Sequence, residues 1–564
     1  MLTLGCVLSV VCAVACGPSK RPNSGDDVDG NSSHGDGVDP GCPLMCSADL
    51  HSVVDCNNVN VMTCGATDAC DGGSHTCVDA CQGAATNHHS VGCDYYATDT
   101  ETEQPTYCFA AFVANTWTSP AHIQVEYGGT QESVASFIRL PSGSGPSLTY
   151  TAYDPVAGLP PGQVAILFLA GNNGGAPNCP VTSAVPNAAH NGTGIFTSFH
   201  ITTDVPVVAY EINPYGGGSV AVTAASLLLP TSVWDVDYVA VNPIGQSAGS
   251  PSLNIVAQAD ATQVTFTPVA AVGGGGGVPA GAANAPMTIN LNKGQHAQIT
   301  QVAELTGSIV SSNLPVGFMS AHNCMNVPTG TSYCDHGEQM VPPVHALGFR
   351  YAGVMYRPRT AAETSTFWRV IGAVDGTTLT YSSPVGGPAT LNKGQAVTFQ
   401  TGTPFVVTSQ DKDHPFEFFE YMTSSTFFND GYGDPDFVLG VPPDQYLSDY
   451  VFFADPTYPE TNLVVIRARG NDAAFHDVNL DCLGPMSNWQ PVGDYEWARA
   501  DLMTGNFSPV GNCSTGRHEI KSDAPFGLWV WGWGTPNTST FTANVSYGYP
   551  GGMNVAPINT VVIE

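Results

Sequence analysis

The sequence predicts an all-β protein: four related antiparallel units behind a small disulfide-rich module. Three observations carry that expectation. Short runs rich in Val, Ile, Thr, Phe and Tyr, separated by Gly, Pro, Asn and Asp, continue from about Thr106 onward, and no helical periodicity is sustained. A phrase of the form strand, polar residues, proline, apolar strand is written four times: "ITTDVPVVAYEINP", "IVSSNLPVGFMSAHN", "VVTSQDKDHPFEFFEYM" and "EIKSDAPFGLWVWGWG". Its prolines, Pro206, Pro315, Pro415 and Pro525, are spaced by 109, 100 and 110 residues. Eight cysteines, Cys42, Cys46, Cys56, Cys64, Cys70, Cys77, Cys81 and Cys93, fall within 52 residues, too short a segment to build a core without staples.

The totals fit a β protein of the cell exterior. Of 564 residues, 11% are charged, roughly half the usual share. The polar surface therefore comes from Thr, Ser, Asn, Gln and Gly. The net charge of −32 repels nucleic acid and anionic headgroups. Its main consequence is solubility, and it also suits divalent cations or basic partners.

Taken in order, residues 1–16, "MLTLGCVLSVVCAVAC", form an apolar stretch too short to span a bilayer. Ala13-Val14-Ala15 resembles a signal-peptidase site, and with Cys16 it resembles a lipobox in which Cys16 carries lipid. No Lys or Arg precedes the run, and Ala13 stands where a lipobox usually has Leu. Cys6 and Cys12 would leave with the signal. Fourteen of the 17 cysteines then remain, an even number suited to disulfides. Residues 17–41 are Gly, Asp, Ser and Pro, a disordered tether. Their "DDVDG" and "GDGVD" echo calcium loops, but no bidentate Glu follows at the required distance. Residues 42–93 are the Cys-rich module. It has no C-x-x-C knuckle, which favours disulfides over zinc, and eight cysteines allow on the order of a hundred pairings.

Residues 94–564 hold the units, approximately 106–224, 225–337, 338–435 and 436–564. Further landmarks support the repeat. "LNKGQ" occurs at 291–295 and 391–395, and a looser "LPPGQ" ends at Gln163. Pro230, Pro343 and Pro442 are each followed eight residues later by a tyrosine, Tyr238, Tyr351 and Tyr450. "FWRVIGAVDGTTLTYSSP" reads as a strand pair with Asp375-Gly376 at its turn. Two arrangements satisfy the strand count: successive sandwiches, or paired sheets of a closed propeller.

Few constellations suit catalysis. "GQSAG" at 245–249 matches a nucleophile elbow, but a strand follows Ser247 where the motif needs a helix. His322, Cys324, Cys334 and His336 have the composition of a zinc site, yet Cys324 and Cys334 close a short loop and read as a disulfide. Cys482 with Cys513, and Cys108 with Cys179, are paired in the same way. Glu417 and Glu420 point to opposite faces of a strand and cannot share a substrate as glycosidase acids do. "GDPD" at 433–436 reads as a turn, with calcium as the alternative. Trp529, Trp531 and Trp533 alternate along one face. They form a core stripe if buried, or a platform for sugar rings or a partner protein if exposed.

"CFAAFVANTW", "PVVAYEINPYGGGSVAVTAASLLLPTSVWDVDYVAV", "YCDHGEQMVPP" and "FWRVIGAVDGTTLTY" resemble the IgGFc-binding protein N-terminal domain family over about 94–533. The Cys-rich segment ending "HHSVGCDYYATDT" resembles the module that precedes this domain in bacterial members. The resemblance implies a secreted or surface-anchored module for adhesion or protein binding, without catalysis, and supplies no contact residues to carry over. The expectation is therefore an exported, lipid-anchored, non-catalytic binding protein of the outer membrane or cell surface. It has a protein or glycan ligand, no nucleic-acid partner, contact with membrane only through the anchor, and no cofactor beyond the calcium its acidic loops could take. A carbohydrate-active or carbohydrate-binding envelope protein, and a structural spacer, are the alternatives.

Overall fold

The repeated phrase folds, in each unit, as a long strand that changes sheets at its proline. In the second unit this strand is Ile309–Met325. Its first half pairs with Asp235–Val239 and Thr262–Thr267, and its second half with Pro251–Ala257 and Asp335–Met340. The first unit repeats the plan around Phe199–Asn213, with Gly92–Ala97 and Ile123–Tyr127, then Phe109–Asn115 and Ala224–Leu227. The fourth does so around Gly516–Trp533, with Leu447–Ala454 and Val478–Leu480, then Glu460–Arg467 and Ser546–Pro550. In the third the strand is cut in two, Phe405–Thr408 and Phe416–Met422, and the halves lie in separate sheets of three and four strands. This is a computed structural model, and it describes residues 42–103, 107–171, 178–188, 190–217, 220–243, 248–429, 431–536 and 543–563.

The switch has a local cause. Against the first partner strand the register slips between Thr202 and Val207, Ser311 and Val316, and Lys521 and Phe526. A proline fits in such a bulge because it has no N–H to give to a ladder. The polar residue of the phrase closes the bulge. Thr203 Oγ1 donates to the Val205 carbonyl at 2.8 Å, Ser312 Oγ to Leu314 at 2.7 Å, and Ser409 Oγ to His414 at 2.7 Å. The carbonyl just after each proline is then met by a buried tyrosine hydroxyl: Tyr238 to Val316 at 2.6 Å, Tyr351 to Phe416 at 2.8 Å, and Tyr450 to Phe526. The same hydroxyls accept from the backbone N–H three residues earlier, at Asp235, Gly348 and Leu447. Tyr95 does this for Val207 at 2.7 Å in the first unit, where no proline eight residues earlier announces it.

The LNKGQ landmarks are turns of one design. Gly294 and Gly394 take left-handed φ of 77° and 71°. Gln295 and Gln395 cap Asn292 N and Asn392 N, and the aspartate of the preceding hairpin, Asp260 or Asp375, accepts from the lysine N–H.

Each unit therefore has two sheet halves, continuous through the long strand in units one, two and four and separate in unit three, and the four units close into a ring, which combines the two arrangements the strand count allowed. The last strands of the units, Ala224–Leu227, Asp335–Met340, Asp436–Leu439 and Ser546–Pro550, pack in turn against one another around a common axis. Gln339 sits on that axis. Its side chain donates to the carbonyls of Ala225 at 2.9 Å and Gly548 at 3.1 Å, and its Oε1 faces Leu439 N. Unit one also lends a strand to the sheet of unit two, because Gly194–Thr197 pairs with Gln295–Thr300. The C-terminal segment meets the stretch of the Cys-rich module just before unit one, Ser90 N to Met553 O at 2.8 Å and Val555 N to His88 O at 2.6 Å.

The pairing sets the unit limits a few residues away from those that spacing indicates. Ala224–Leu227, Asp335–Met340 and Asp436–Leu439 each complete the unit before them, and the first unit opens at Gly92. The closing strand is antiparallel to the crossing strand that precedes it, so it belongs with that strand even though the phrase spacing runs past it.

The Cys-rich module holds a three-stranded sheet, Met45–Cys46, Ser52–Val54 and Asn60–Thr63, and a hairpin, Asp68–Cys70 with Cys77–Asp79. A short helix, Ala80–Thr86, follows, its N-cap Asp79 accepting from Cys81 N and Gln82 N. Disulfides Cys46–Cys70, Cys64–Cys77 and Cys81–Cys93 hold it together, and Cys42 and Cys56 are disulfide-bonded as well. No helix among the described residues is long and apolar enough to cross a membrane.

Candidate protein-binding surface

The alternating tryptophans are interior. Trp529 is 6% exposed, and Trp531 and Trp533 are fully buried. They fill the junction between units three and four: Trp529 Nε1 donates to the Leu439 carbonyl at 3.0 Å, the Trp531 ring lies 5.1 Å from that of Tyr356, and the Arg357 guanidinium stands 4.9 Å over Trp533. A ligand arriving from solvent cannot stack on them, so the platform reading is corrected to a core stripe. The physical reason is that this strand's second half is the one the ring turns inward.

The structure bonds Cys108 to Cys179, Cys324 to Cys334 and Cys482 to Cys513. With both sulfurs of Cys324–Cys334 consumed, His322 and His336 go separate ways. His322 Nδ1 accepts from Cys324 N at 3.0 Å, and His336 Nε2 lies 3.2 Å from Glu338 Oε2 and 3.1 Å from Thr100 Oγ1. All fourteen cysteines from Cys42 onward are disulfide-bonded, as in a protein exported to an oxidising compartment. Cys16 and the tether lie outside the described residues, and so does Ser247; the strand Pro251–Ala257 follows it. Glu417 and Glu420 are buried and face different neighbours, Arg369 for the first, and Tyr356 N at 2.9 Å with Arg499 for the second. Burial pushes both carboxyls well up.

What solvent does meet is the edge of the Cys-rich module. Asn60–Thr63 is the outer strand of its sheet, and every residue of it is exposed. Val61 and Met62 on this strand, Val59 just before it and Met45 on the opposite edge strand are between 36% and 58% exposed. The outer edge of the strand carries unpaired backbone groups. The Cys64–Cys77 disulfide fixes it at one end, so the edge is presented rigidly. No periodicity foretold this surface. The sequence signal was local: "VNVMT", an apolar β-former run inside a segment too small to bury it.

A cleft of about 260 Å³ lies where the module meets units one and four, lined by His51, Trp117, Asp449, Arg517, Glu519 and Lys521 among others. Trp117 Nε1 donates to the Ala66 carbonyl at 2.8 Å, and its ring is 4.1 Å from that of His51. These contacts dock the module. The cations in the cleft are engaged: Lys521 with Asp449 at 3.1 Å and with Glu519, and Arg517 with Glu519 at 3.2 Å. The cleft is therefore a seam whose two cations, Arg517 and Lys521, are already paired.

The fold and surface define an exported, disulfide-stapled β protein whose rigid apolar edge is offered outward. The family model described as IgGFc binding protein matches residues 224–532, more than half of the chain, and the chain belongs to that family. The human IgGFc-binding protein is 24% identical over 314 residues, which is 54% of this chain and 5% of that protein. The chain thus matches only a small part of that relative's length. No solved structure matches.

Proposed function

We propose that this chain is a non-catalytic protein-binding module, exported and held at the outer membrane or cell surface by lipid on Cys16. The exposed edge Asn60–Thr63 with Val59, Val61 and Met62 supports the reading, since an edge strand with free backbone groups and apolar side chains accepts an extended segment of a partner. Family membership supports binding as the activity, and the name of the human relative makes the Fc region of IgG the first probe. Glu417, Glu420 and the three tryptophans are buried, so they give no support to a sugar-processing cleft built from them.

The test is biolayer interferometry of the intact protein against immobilised human Fc and an array of cell-surface proteins, comparing wild type with Val61→Lys/Met62→Lys. The double variant is expected to fold normally and to lose at least tenfold in affinity for whichever protein the wild type binds, about 1.4 kcal/mol. Unchanged binding by the variant sinks this surface. Failure of the wild type to bind any protein sinks the function.

A further inference from the structure

The two LNKGQ turns lead into matching strands, Gln295–Thr300 in unit two and Ala396–Thr401 in unit three. Each lies outside the strand that pairs with the second half of the crossing strand, Pro251–Ala257 in one unit and Thr366–Gly372 in the other. What covers the far side differs. In unit two it is Gly194–Thr197, lent by unit one: Phe196 pairs with His296 and Gly194 with Gln298. Thr193 Oγ1 then accepts from Thr300 N at 3.1 Å and donates to the Thr300 carbonyl at 3.1 Å. The matching strand of unit one, Val164–Ala170, meets Ile138–Ser142. That of unit four, Tyr495–Thr504, is covered at its two ends by Gln490–Val492 and Ser508–Pro509. In unit three, Ala396–Thr401 ends its sheet, and no strand among the described residues pairs with its outer side.

The gap has a local cause. In unit one the lent strand immediately precedes the crossing strand Phe199–Asn213. The corresponding stretch of unit two, residues 301–308, is held by its own unit instead. Leu305 N donates to Asn242 Oδ1 at 2.7 Å, and Gly307 N to the Ala240 carbonyl at 2.7 Å. It touches unit three only as a loop, Glu304 meeting Arg369 and Gly307 lying against Gly394.

The bare edge is shaped to take a strand. Gly372 N donates to the Gln395 carbonyl at 3.1 Å, which sets the alternation, so Ala396, Thr398 and Gln400 turn their N–H and C=O groups outward. These are the positions at which His296, Gln298 and Thr300 are paired in unit two. Thr398 and Gln400 are exposed, while Phe399 between them is buried. The devices that ordinarily protect an edge are missing: the strand has no Lys and no Pro, and its register against Thr366–Gly372 has no bulge. No residue from Gly394 to Gln410 is charged, in a chain of net charge −32.

We propose that Ala396–Thr401 is a dimerisation edge, which pairs antiparallel with the same strand of a second copy of this chain about a two-fold axis at Thr398. Thr398 then meets the partner's Thr398, and Ala396 the partner's Gln400, so every outward N–H and C=O of the strand enters the ladder. Val397 meets the partner's Phe399 in the closer, non-bonded kind of pair, which extends the apolar face across the axis. Two observations favour a second copy as the occupant. In unit two the same edge is filled by a strand of a sister unit, so an edge of this design already accepts this fold. Two acidic chains also repel least where neither carries charge. The contact is isologous and closes at two chains. A six-residue pairing is small, under about 1,200 Å², so the dimer is weak and forms reversibly with concentration.

The experiment is sedimentation equilibrium of the intact protein over about 1 to 200 µM, in salt high enough to screen the net charge. The mass is expected to rise from one chain toward two. Thr398→Pro removes the central N–H, and on an outer edge it takes no ladder bond from the monomer. It is expected to melt close to the parent and to weaken association at least tenfold. Thr398→Lys sets like charges opposite each other and is expected to weaken it too, most strongly at low salt. Val61→Lys/Met62→Lys is expected to keep the dimer. Hydrogen exchange of the wild type needs no variant: the amides of Ala396, Thr398 and Gln400 are expected to slow at the high end of the concentration range. A single-chain mass throughout, a dimer that Thr398→Pro leaves intact, a dimer that Val61→Lys/Met62→Lys abolishes, or unchanged exchange at those amides overturns the proposal. Slowing of the amides only when a different protein is added assigns the edge to that protein and overturns it as well. No protein ligand is present in the sedimentation measurements, so failure there leaves the binding surface at Asn60–Thr63 standing.

Discussion

Tyr450 carries one hydroxyl more than phenylalanine, and that hydroxyl serves two backbone groups at the sheet switch, the Phe526 carbonyl and the Leu447 N–H at 2.9 Å. Both would be left unpaired in the interior by Tyr450→Phe, while the ring's packing against Phe526 at 4.9 Å would be kept. Orphaning buried polar groups costs about 1–3 kcal/mol each. The variant is expected to lose about 2–4 kcal/mol in urea unfolding, with an unchanged m-value and unchanged surface binding. A loss under about 0.5 kcal/mol, the usual size of an inconsequential substitution, would show that water replaces the hydroxyl and that the tyrosine is retained for its ring alone.

At the scale of elements, the staples differ in how much chain they restrain. Cys108–Cys179 joins residues 71 apart, whereas Cys324–Cys334 joins residues 10 apart. In the chain-entropy account the longer loop stabilises more, about 4 kcal/mol against under 3. The double variant Cys108→Ser/Cys179→Ser is therefore expected to lower the melting temperature more than Cys324→Ser/Cys334→Ser, as differential scanning calorimetry would record. The reverse order would mean that the short loop does more than restrain the unfolded chain. Its place beside the buried Asp335 is then the reason to examine.

For the whole molecule, burial of ionisable groups between sheets sets the pH response. Burial raises Asp455 to about 6 from 3.8, against the opposing hydrogen bonds from Thr457. The folded state then holds a proton that the unfolded state releases, so the destabilisation is absent below pH 3.8, grows through 3.8 to 6 and is complete above. That shift corresponds to on the order of 3 kcal/mol. His296, depressed to about 3 from 6.5 by burial and then by His190, acts oppositely: its stability is present above pH 6.5 and is lost as the pH falls toward 3. Asp455→Asn is expected to gain on wild type by up to that amount between pH 4 and 7, measured by urea unfolding across the range. Parallel profiles for the two proteins would show that Asp455 titrates normally.

How much of this was legible in the chain follows the range of the forces involved. The β class, the four phrases, the LNKGQ turns and the tyrosine after each proline were readable because turn chemistry and period-two patterning act over a few residues. A proline in a bulge and a glycine at positive φ need no distant partner to make sense. The Cys324–Cys334 pair was readable because ten residues leave little choice of partner. Tyr95 was not, since its proline is missing although its role is kept. The closing of four units into a ring, the inward turn of Trp531 and Trp533, and the place of Gln339 on the axis belong to the tertiary structure alone. Alternation places three tryptophans on one face without saying which face the neighbouring unit covers. The last strands of the units, about a hundred residues apart, meet around one axis, and that packing depends on the shape of all four units together.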